Sequence, residues 1–123
     1  MPPSNLPSLL ENDGYVLNTE SMSHLVKVYD PNEEHESDPS AWPLQASLEE
    51  LQGLPTHVIS MNELDPLRDE GCIYHRKLPQ AGVSLIGRIV LGTPHAADVA
   101  HEDVIPDIYR ETARSAFGFA NSL

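Results

Sequence analysis

Two residues in this chain have the type and placement for proton-transfer chemistry. Asp65 lies in the run Glu63-Leu64-Asp65-Pro66-Leu67-Arg68-Asp69-Glu70-Gly71, directly after the apolar segment Thr56-His57-Val58-Ile59-Ser60-Met61. His95 lies in Gly92-Thr93-Pro94-His95-Ala96-Ala97-Asp98, directly after the apolar run Val83 to Leu91. Imidazole is the side chain best suited to general-base work near neutral pH. A carboxylate behind it fixes the tautomer and stabilises the imidazolium that forms. Asp65 also has a plainer use, because an Asp before a helix-starting Pro is a good N-cap.

The elements around them determine whether the two side chains can meet. The segment 56–61 is short, partly β-branched and bounded by Gly53-Leu54-Pro55, which predicts a buried strand. The run 83–91 predicts a second strand, continuous enough in apolarity to be parallel and covered on both faces. Gly87 and Arg88 place it near a sheet edge. Between the strands, Leu67, Gly71, Tyr74 and Leu78 form one stripe of a helix from about Leu67 to Leu78. Gly71 lets that helix approach the sheet, and Pro79 is expected to end or kink it. A last helix runs from near Pro106 to about Asn121, with Ile105, Ile108, Tyr109, Ala113, Ala116, Phe117 and Ala120 on its apolar side. Strand, helix, strand, helix is the βαβα pattern of a parallel α/β sheet. Both Asp65 and His95 then follow strand ends, on one edge of the sheet.

An acid after one strand and a histidine after the next is the tail order of Ser…Asp…His hydrolases. Together, Gly53-Leu54-Pro55, Glu63 to Gly71, Ala81-Gly82-Val83 and Gly92-x-x-His95 resemble the α/β-hydrolases of the hormone-sensitive-lipase-like esterase family, over residues 38–121. The resemblance implies that Asp65 is the triad acid and His95 the triad base of a carboxylic-ester hydrolase. The implied substrate is a small-molecule ester, and no cofactor or metal is implied. It also implies two regions: a cap-like segment at 1–37, irregular with one short helix, and a C-terminal α/β-hydrolase portion at 38–123. Met22, Leu25 and Tyr29 would border the substrate pocket, although packing against the body explains the same apolar face.

The nucleophile and the oxyanion loop normally precede the acid and the histidine. No Gly-x-Ser-x-Gly occurs, and no Gly-Gly pair occurs. The chain is therefore expected to be the C-terminal segment of an esterase, inactive alone, with the missing N-terminal half or a second copy of itself as partner. The alternative is a non-catalytic remnant or interaction module. A third reading makes His95, Asp98, His101 and Glu102 metal ligands, but their spacing matches no common site.

The remaining segments carry weaker signals. Residues 1–18 hold three prolines in the first seven positions and are expected to be irregular, with Gly14 to Leu17 a short extended piece. Thr19 to Tyr29 reads as a helix, capped by Thr19 or Ser21, with Met22, Leu25, Val26 and Tyr29 on one face. The acidic stretch Asn32 to Asp38 reads as a solvated loop, and Trp42 as its anchor to the body. Ser47-Leu48-Glu49-Glu50 has capping-box spacing and predicts one or two helical turns closing at Gly53. Asp69 and Glu70 suit a helix N-terminus. His57 and His75 read as packing or surface residues, and His24, His35 and His101 match no position of the resembled family.

The formal net charge is −12. Such a chain repels phosphate backbones and anionic lipid surfaces, which argues against nucleic acid and membrane as partners. The lone Cys72 excludes an internal disulfide, and the N-terminus lacks signal-peptide character, so the expected location is cytoplasmic.

Overall fold

A computed structural model describes residues 5–123. The first four residues, part of the stretch expected to be irregular, lie outside the described residues. The strand runs form where the apolar pattern placed them. β1 spans His57–Asn62 and β2 Leu85–Val90. They pair in parallel, in a register running from His57 opposite Leu85 to Asn62 opposite Val90. The helix that connects them, called α3 here, covers Arg68–Gln80, preceded in the chain by α1 (Pro7–Glu11) and α2 (Thr19–Tyr29). A short α4 (Ala97–Ala100) and the long α5 (Pro106–Ala120) follow β2.

The core lies between α3, the sheet and the segment that enters β1. Ala46, Leu51, Leu78, Ala81 and Val83 are buried together, and Ile59, Tyr74 and Leu85 pack against them. Gly71 is needed here: a Cβ at that position would sit 2.9 Å from Met61 Cγ. Gly87 does the same on β2, where a Cβ would lie 2.1 Å from Nε2 of His75. The helix thus rests on the strands through two glycines, one on each side.

Pro79 does not stop α3 early; the helix continues to Gln80. So close to the end, the missing N–H costs a single helical hydrogen bond. The last turn closes as a Schellman motif: Gly82, at φ 81°, donates its N–H to Pro79 O (3.0 Å), and Val83 donates to Leu78 O (3.0 Å). The accompanying apolar contact is Leu78 with Val83, both in the core.

Further expectations need correction. The stretch 5–18 is not wholly irregular, because α1 forms within it, and residues 5–37 hold two helices instead of one. Asn12 and Ser8 are buried, and α1 is clasped to the start of α3. The Ser8 N–H donates to Asp69 Oδ2 (2.9 Å), the Asp69 N–H to Ser8 Oγ (3.2 Å), and the Ser8 hydroxyl to Pro66 O (2.7 Å). This is the reciprocal logic of a capping box, made by residues 61 apart in the chain. Gly14 to Leu17 is a tight turn closed by Gly14 N–H to Leu17 O (2.9 Å), with Val16 at φ 69°. The Ser47–Glu50 box does form, with Ser47 N–H to Glu50 Oε2 at 2.8 Å and Glu50 N–H to Ser47 Oγ at 3.2 Å. Yet it opens only a turn, because the chain must reach Pro55 extended. The cap of α2 is Asn18, whose Oδ1 accepts the Ser21 N–H at 2.7 Å, and not Thr19 or Ser21.

The clasp has a pH consequence. Burial pushes the Asp69 carboxyl up, but the Ser8 N–H and the Arg68 guanidinium outweigh it and hold the group below its usual range. A depressed carboxylate contributes stability that is complete above its unfolded value, about 3.9, and is lost as pH falls through the folded value. Amide exchange in α1 is therefore expected to lose protection below about pH 4. Asp69→Asn is expected to weaken α1 at neutral pH to about the level the parent reaches in acid, and to abolish that step.

Much apolar surface stays open. A self-contained monomer of 13.6 kDa exposes about 6,600 Å²; this chain exposes 7892 Å². Leu25, Tyr29, Ile86 and Phe117 are all more than half exposed. On α2, the predicted face packs weakly: no residue of the helix is buried. Tyr29 meets the edge of Trp42, with ring centroids 5.4 Å apart and planes at 85°. Among the described residues, no helix is long and apolar enough to cross a membrane.

Candidate active site

Asp65 and His95 meet. The imidazole Nδ1 of His95 lies 2.9 Å from Asp65 Oδ2. Parallel strands deliver both loops to the same sheet edge, and backbone bonds then hold the loops together. The N–H of Glu63 donates to Val90 O (3.0 Å) and that of Leu64 to Thr93 O (3.0 Å). Gly92 N–H donates to Glu63 Oε2 (2.7 Å). Each loop is thus fixed to the other within a few residues of Asp65 and His95.

Asp65 is not the N-cap of α3, which starts at Arg68 after Leu67. Its Oδ1 instead accepts the Leu67 N–H at 2.9 Å, closing the turn that leads into the helix, while Oδ2 faces the imidazole. Asn12 supports the loop from behind, donating from Nδ2 to Glu63 O (3.2 Å) and Asp65 O (3.1 Å). The Asp65 residue is only 8% exposed.

His95 keeps one face open, its side chain being 38% exposed. Given Nδ1–H donation to Asp65, Nε2 carries a bare lone pair, and no hydrogen-bond partner for it lies among the described residues. The next residue, Ala96, sits at φ 55°, in the left-handed region that a non-glycine residue enters at a cost. That sharp turn starts α4 at Ala97 and leaves His95 projecting from the loop.

The metal reading loses its geometry. His95 is on the loop before α4, so His95, Asp98 and His101 do not share a helical face. Asp98 is 3% exposed, and its carboxylate accepts from Asn62 Nδ2 (3.2 Å) and from the Thr112 hydroxyl (3.0 Å). Glu102 faces Arg110 at 3.7 Å. Among the described residues, no group of three His, Cys, Asp or Glu side chains is arranged to hold a metal ion.

Met22, Leu25 and Tyr29 lie on α2, none of whose residues is buried, and Leu25 and Tyr29 are more than half exposed. A cavity of about 230 Å³ does lie along α3, lined by Trp42, Pro43, Leu44, Gln45, Glu70, Gly71 and Tyr74. Burial, reinforced by the charge of Asp65, pushes the Glu70 carboxyl up. The buried Trp42 indole N–H has no hydrogen-bond partner among the described residues. Ser60, Ser84 and Cys72, the side chains with nucleophilic chemistry nearest the strands in sequence, do not hydrogen-bond His95. Ser60 Oγ accepts from Arg88 Nε (2.9 Å), and Cys72 Sγ lies 3.6 Å from Met61 Sδ.

The sequence singled out Thr93 as restricting the loop of His95 and Asp98 only as a possible ligand; it missed Asn62 and the buried network that joins the three. Asn62, Thr93 and Asp98 are each at most 8% exposed and linked by side-chain bonds. Their only sequence signal is position, a polar residue at a strand end or beside a functional one, which does not separate them from solvated loop residues.

A family model described as alpha/beta hydrolase fold matches residues 2–98, a span that includes both Asp65 and His95. Among solved structures, the chain is 50% identical to brefeldin A esterase, a bacterial homologue of human hormone-sensitive lipase. That match covers 94% of this chain and 32% of the esterase at a TM-score of 0.91. It is 38% identical to the esterase Est22, covering 98% of this chain and 35% of that one at a TM-score of 0.80. A thermostable esterase from Pseudomonas putida is 34% identical, with 78% and 30% covered and a TM-score of 0.73. The chain thus spans about a third of the length of these structures. No curated protein sequence matches it.

Proposed function

The chain belongs to the alpha/beta hydrolase family, in its hormone-sensitive-lipase-like branch, and from that premise we propose that it supplies the acid and base of a carboxylic-ester hydrolase. The observation that carries the proposal is the 2.9 Å contact between His95 Nδ1 and Asp65 Oδ2 on neighbouring parallel-strand loops. The serine nucleophile and the oxyanion donors then lie outside these 123 residues, in keeping with the absence of Gly-x-Ser-x-Gly and of any Gly-Gly pair.

In that role, His95 Nε2 takes the proton of the seryl hydroxyl as the oxygen attacks the ester carbonyl. Asp65 stabilises the imidazolium. The imidazolium returns the proton to the leaving alcohol as the C–O bond breaks, leaving the acyl group on serine. Water then enters, His95 removes its proton, and the acid leaves as the serine is reprotonated. The substrate class is small carboxylic esters, with Met22, Leu25 and Tyr29 placed against the acyl group once the remaining body is present.

The partner in this proposal is the rest of the hydrolase body. The free edge of β1 and the open apolar side chains of α2 and α5 are the surfaces it would cover. The single cysteine suits a reducing compartment, so the proposed setting is cytoplasmic.

The purified chain tests where the nucleophile lies. It is expected to hydrolyse p-nitrophenyl acetate no faster than its His95→Ala variant. Turnover that His95→Ala abolishes would place a nucleophile within this chain and overturn the division of labour proposed here.

A further inference from the structure

The contact between Asp65 and His95 depends on two loops keeping their spacing, and one buried side chain grips both sides of the second loop. Asn62 ends β1, and its backbone carbonyl accepts the Asp65 N–H at 3.3 Å. Its amide reaches across to the other loop in two directions. Oδ1 accepts from the Thr93 hydroxyl at 2.6 Å, two residues before His95. Nδ2 donates to Asp98 Oδ1 at 3.2 Å, three residues after His95. The Thr93 hydroxyl is also 2.8 Å from Val90 O, and the Thr93 carbonyl accepts the Leu64 N–H. Asp98 is held in turn by Thr112 at 3.0 Å, on α5, and lies 3.9 Å from Arg88.

We infer that Asn62 and Thr93 are positioning residues that set the His95–Asp65 hydrogen bond, with Asp98 as the anchor of the far side of the loop. This rests on the acid–base role proposed for the pair and adds which residues enforce it. The physical basis is the cost of breaking the chain anywhere along it. At 8% and 2% exposure, Asn62 and Thr93 have no water to replace a lost partner. An amide or hydroxyl orphaned there keeps its full desolvation cost with nothing to offset it, so the loop keeps the one geometry that satisfies all of them. The left-handed turn at Ala96 needs such over-determination to persist. None of the three touches the reacting atoms in the proposed chemistry.

The test uses the full chain and the proton NMR signal of the His95 Nδ1–H. A hydrogen bond to a buried carboxylate moves that signal far downfield and slows its exchange with solvent. Thr93→Val keeps shape and removes the hydroxyl; it is expected to speed that exchange at least about tenfold, the effect of about 1.4 kcal/mol of weakened closure. Asn62→Leu is expected to do the same. Thr93→Ser, which keeps the hydroxyl, is expected to retain the parent signal. Should Thr93→Val fail to fold, Thr93→Ala, which introduces no new bulk, takes its place with the same expectation. Parent-like exchange in Thr93→Val (or Thr93→Ala) and Asn62→Leu overturns the inference, as does Thr93→Ser behaving like Thr93→Val. Asp65→Asn separates the two levels of the argument. A downfield signal that survives Asp65→Asn refutes the acid–base pair itself. A signal lost in Asp65→Asn but indifferent to Thr93 and Asn62 refutes only the positioning role.

Discussion

His95→Ala is expected to lower ester turnover by about 10⁶-fold in an enzyme rebuilt by exchanging the matched third of brefeldin A esterase for this chain. The size follows from how a triad works. Without the base, the seryl hydroxyl attacks as a neutral alcohol, and what remains is catalysis by the oxyanion donors and by binding, about 10³–10⁴ over water. Asp65→Asn is expected to cost about 10⁴-fold, less than loss of the base, because the amide still occupies the site but disfavours the tautomer with the proton on Nδ1. It also replaces the acceptor of the Leu67 N–H with an amide that must choose its orientation. Both effects belong in kcat with KM little changed, since neither group binds ground-state substrate. Steady-state kinetics with a short p-nitrophenyl ester checks this. A His95→Ala enzyme within tenfold of its parent would remove His95 from the base role.

Leu78→Ala is expected to unfold the isolated chain at 25 °C. Leu78 has no exposed surface and lies at the centre of the cluster joining Ala46, Leu51, Ala81 and Val83. Truncating a buried Leu costs about 2–5 kcal/mol, the larger values arising where the surroundings cannot collapse into the cavity. Here they cannot collapse easily, because Leu78 also closes the Schellman motif with Val83. A complete domain has about 5–15 kcal/mol in reserve. This chain buries few large apolar side chains and leaves many open, so its reserve sits at the low end. Urea melts followed by circular dichroism are expected to lose their cooperative transition in Leu78→Ala. Leu123→Ala, at a site that is 84% exposed, is expected to leave the melt unchanged. A cooperative melt in both would mean that the core carries more stability than its size implies.

The strands, the connecting helix and the meeting of Asp65 with His95 were legible because each rests on local signals. Short apolar runs bounded by Gly and Pro mark β1 and β2, and the stripe with Gly71 marks α3. Once two parallel strands are granted, the residues that follow their ends must share an edge, so the Asp65–His95 contact follows from topology. What escaped was non-local. A five-residue α1 has too little sequence for periodicity, and its order comes from Ser8 and Asn12 bonding to residues more than 50 positions away. Asn62, Thr93 and Asp98 are ordinary turn and cap residues in sequence, and only burial makes them a network. Pro79 misled for the opposite reason. Its local penalty is real, but the Schellman closure and the core contact of Leu78 and Val83 outweigh it. The apolar stripe of α2 was read correctly as a stripe, yet it meets little in this chain beyond the Tyr29–Trp42 ring contact.

The central claim is that this chain carries a working acid and base for ester hydrolysis, and the rebuilt enzyme itself tests it most directly. With residues 5–123 in place of the matched third of brefeldin A esterase, the fusion is expected to fold and to hydrolyse short acyl esters within about 10²-fold of the parent esterase, the margin that a slight misplacement of catalytic groups allows. A folded fusion with intact serine and oxyanion loop that turns over ester no faster than its own His95→Ala variant would contradict the account.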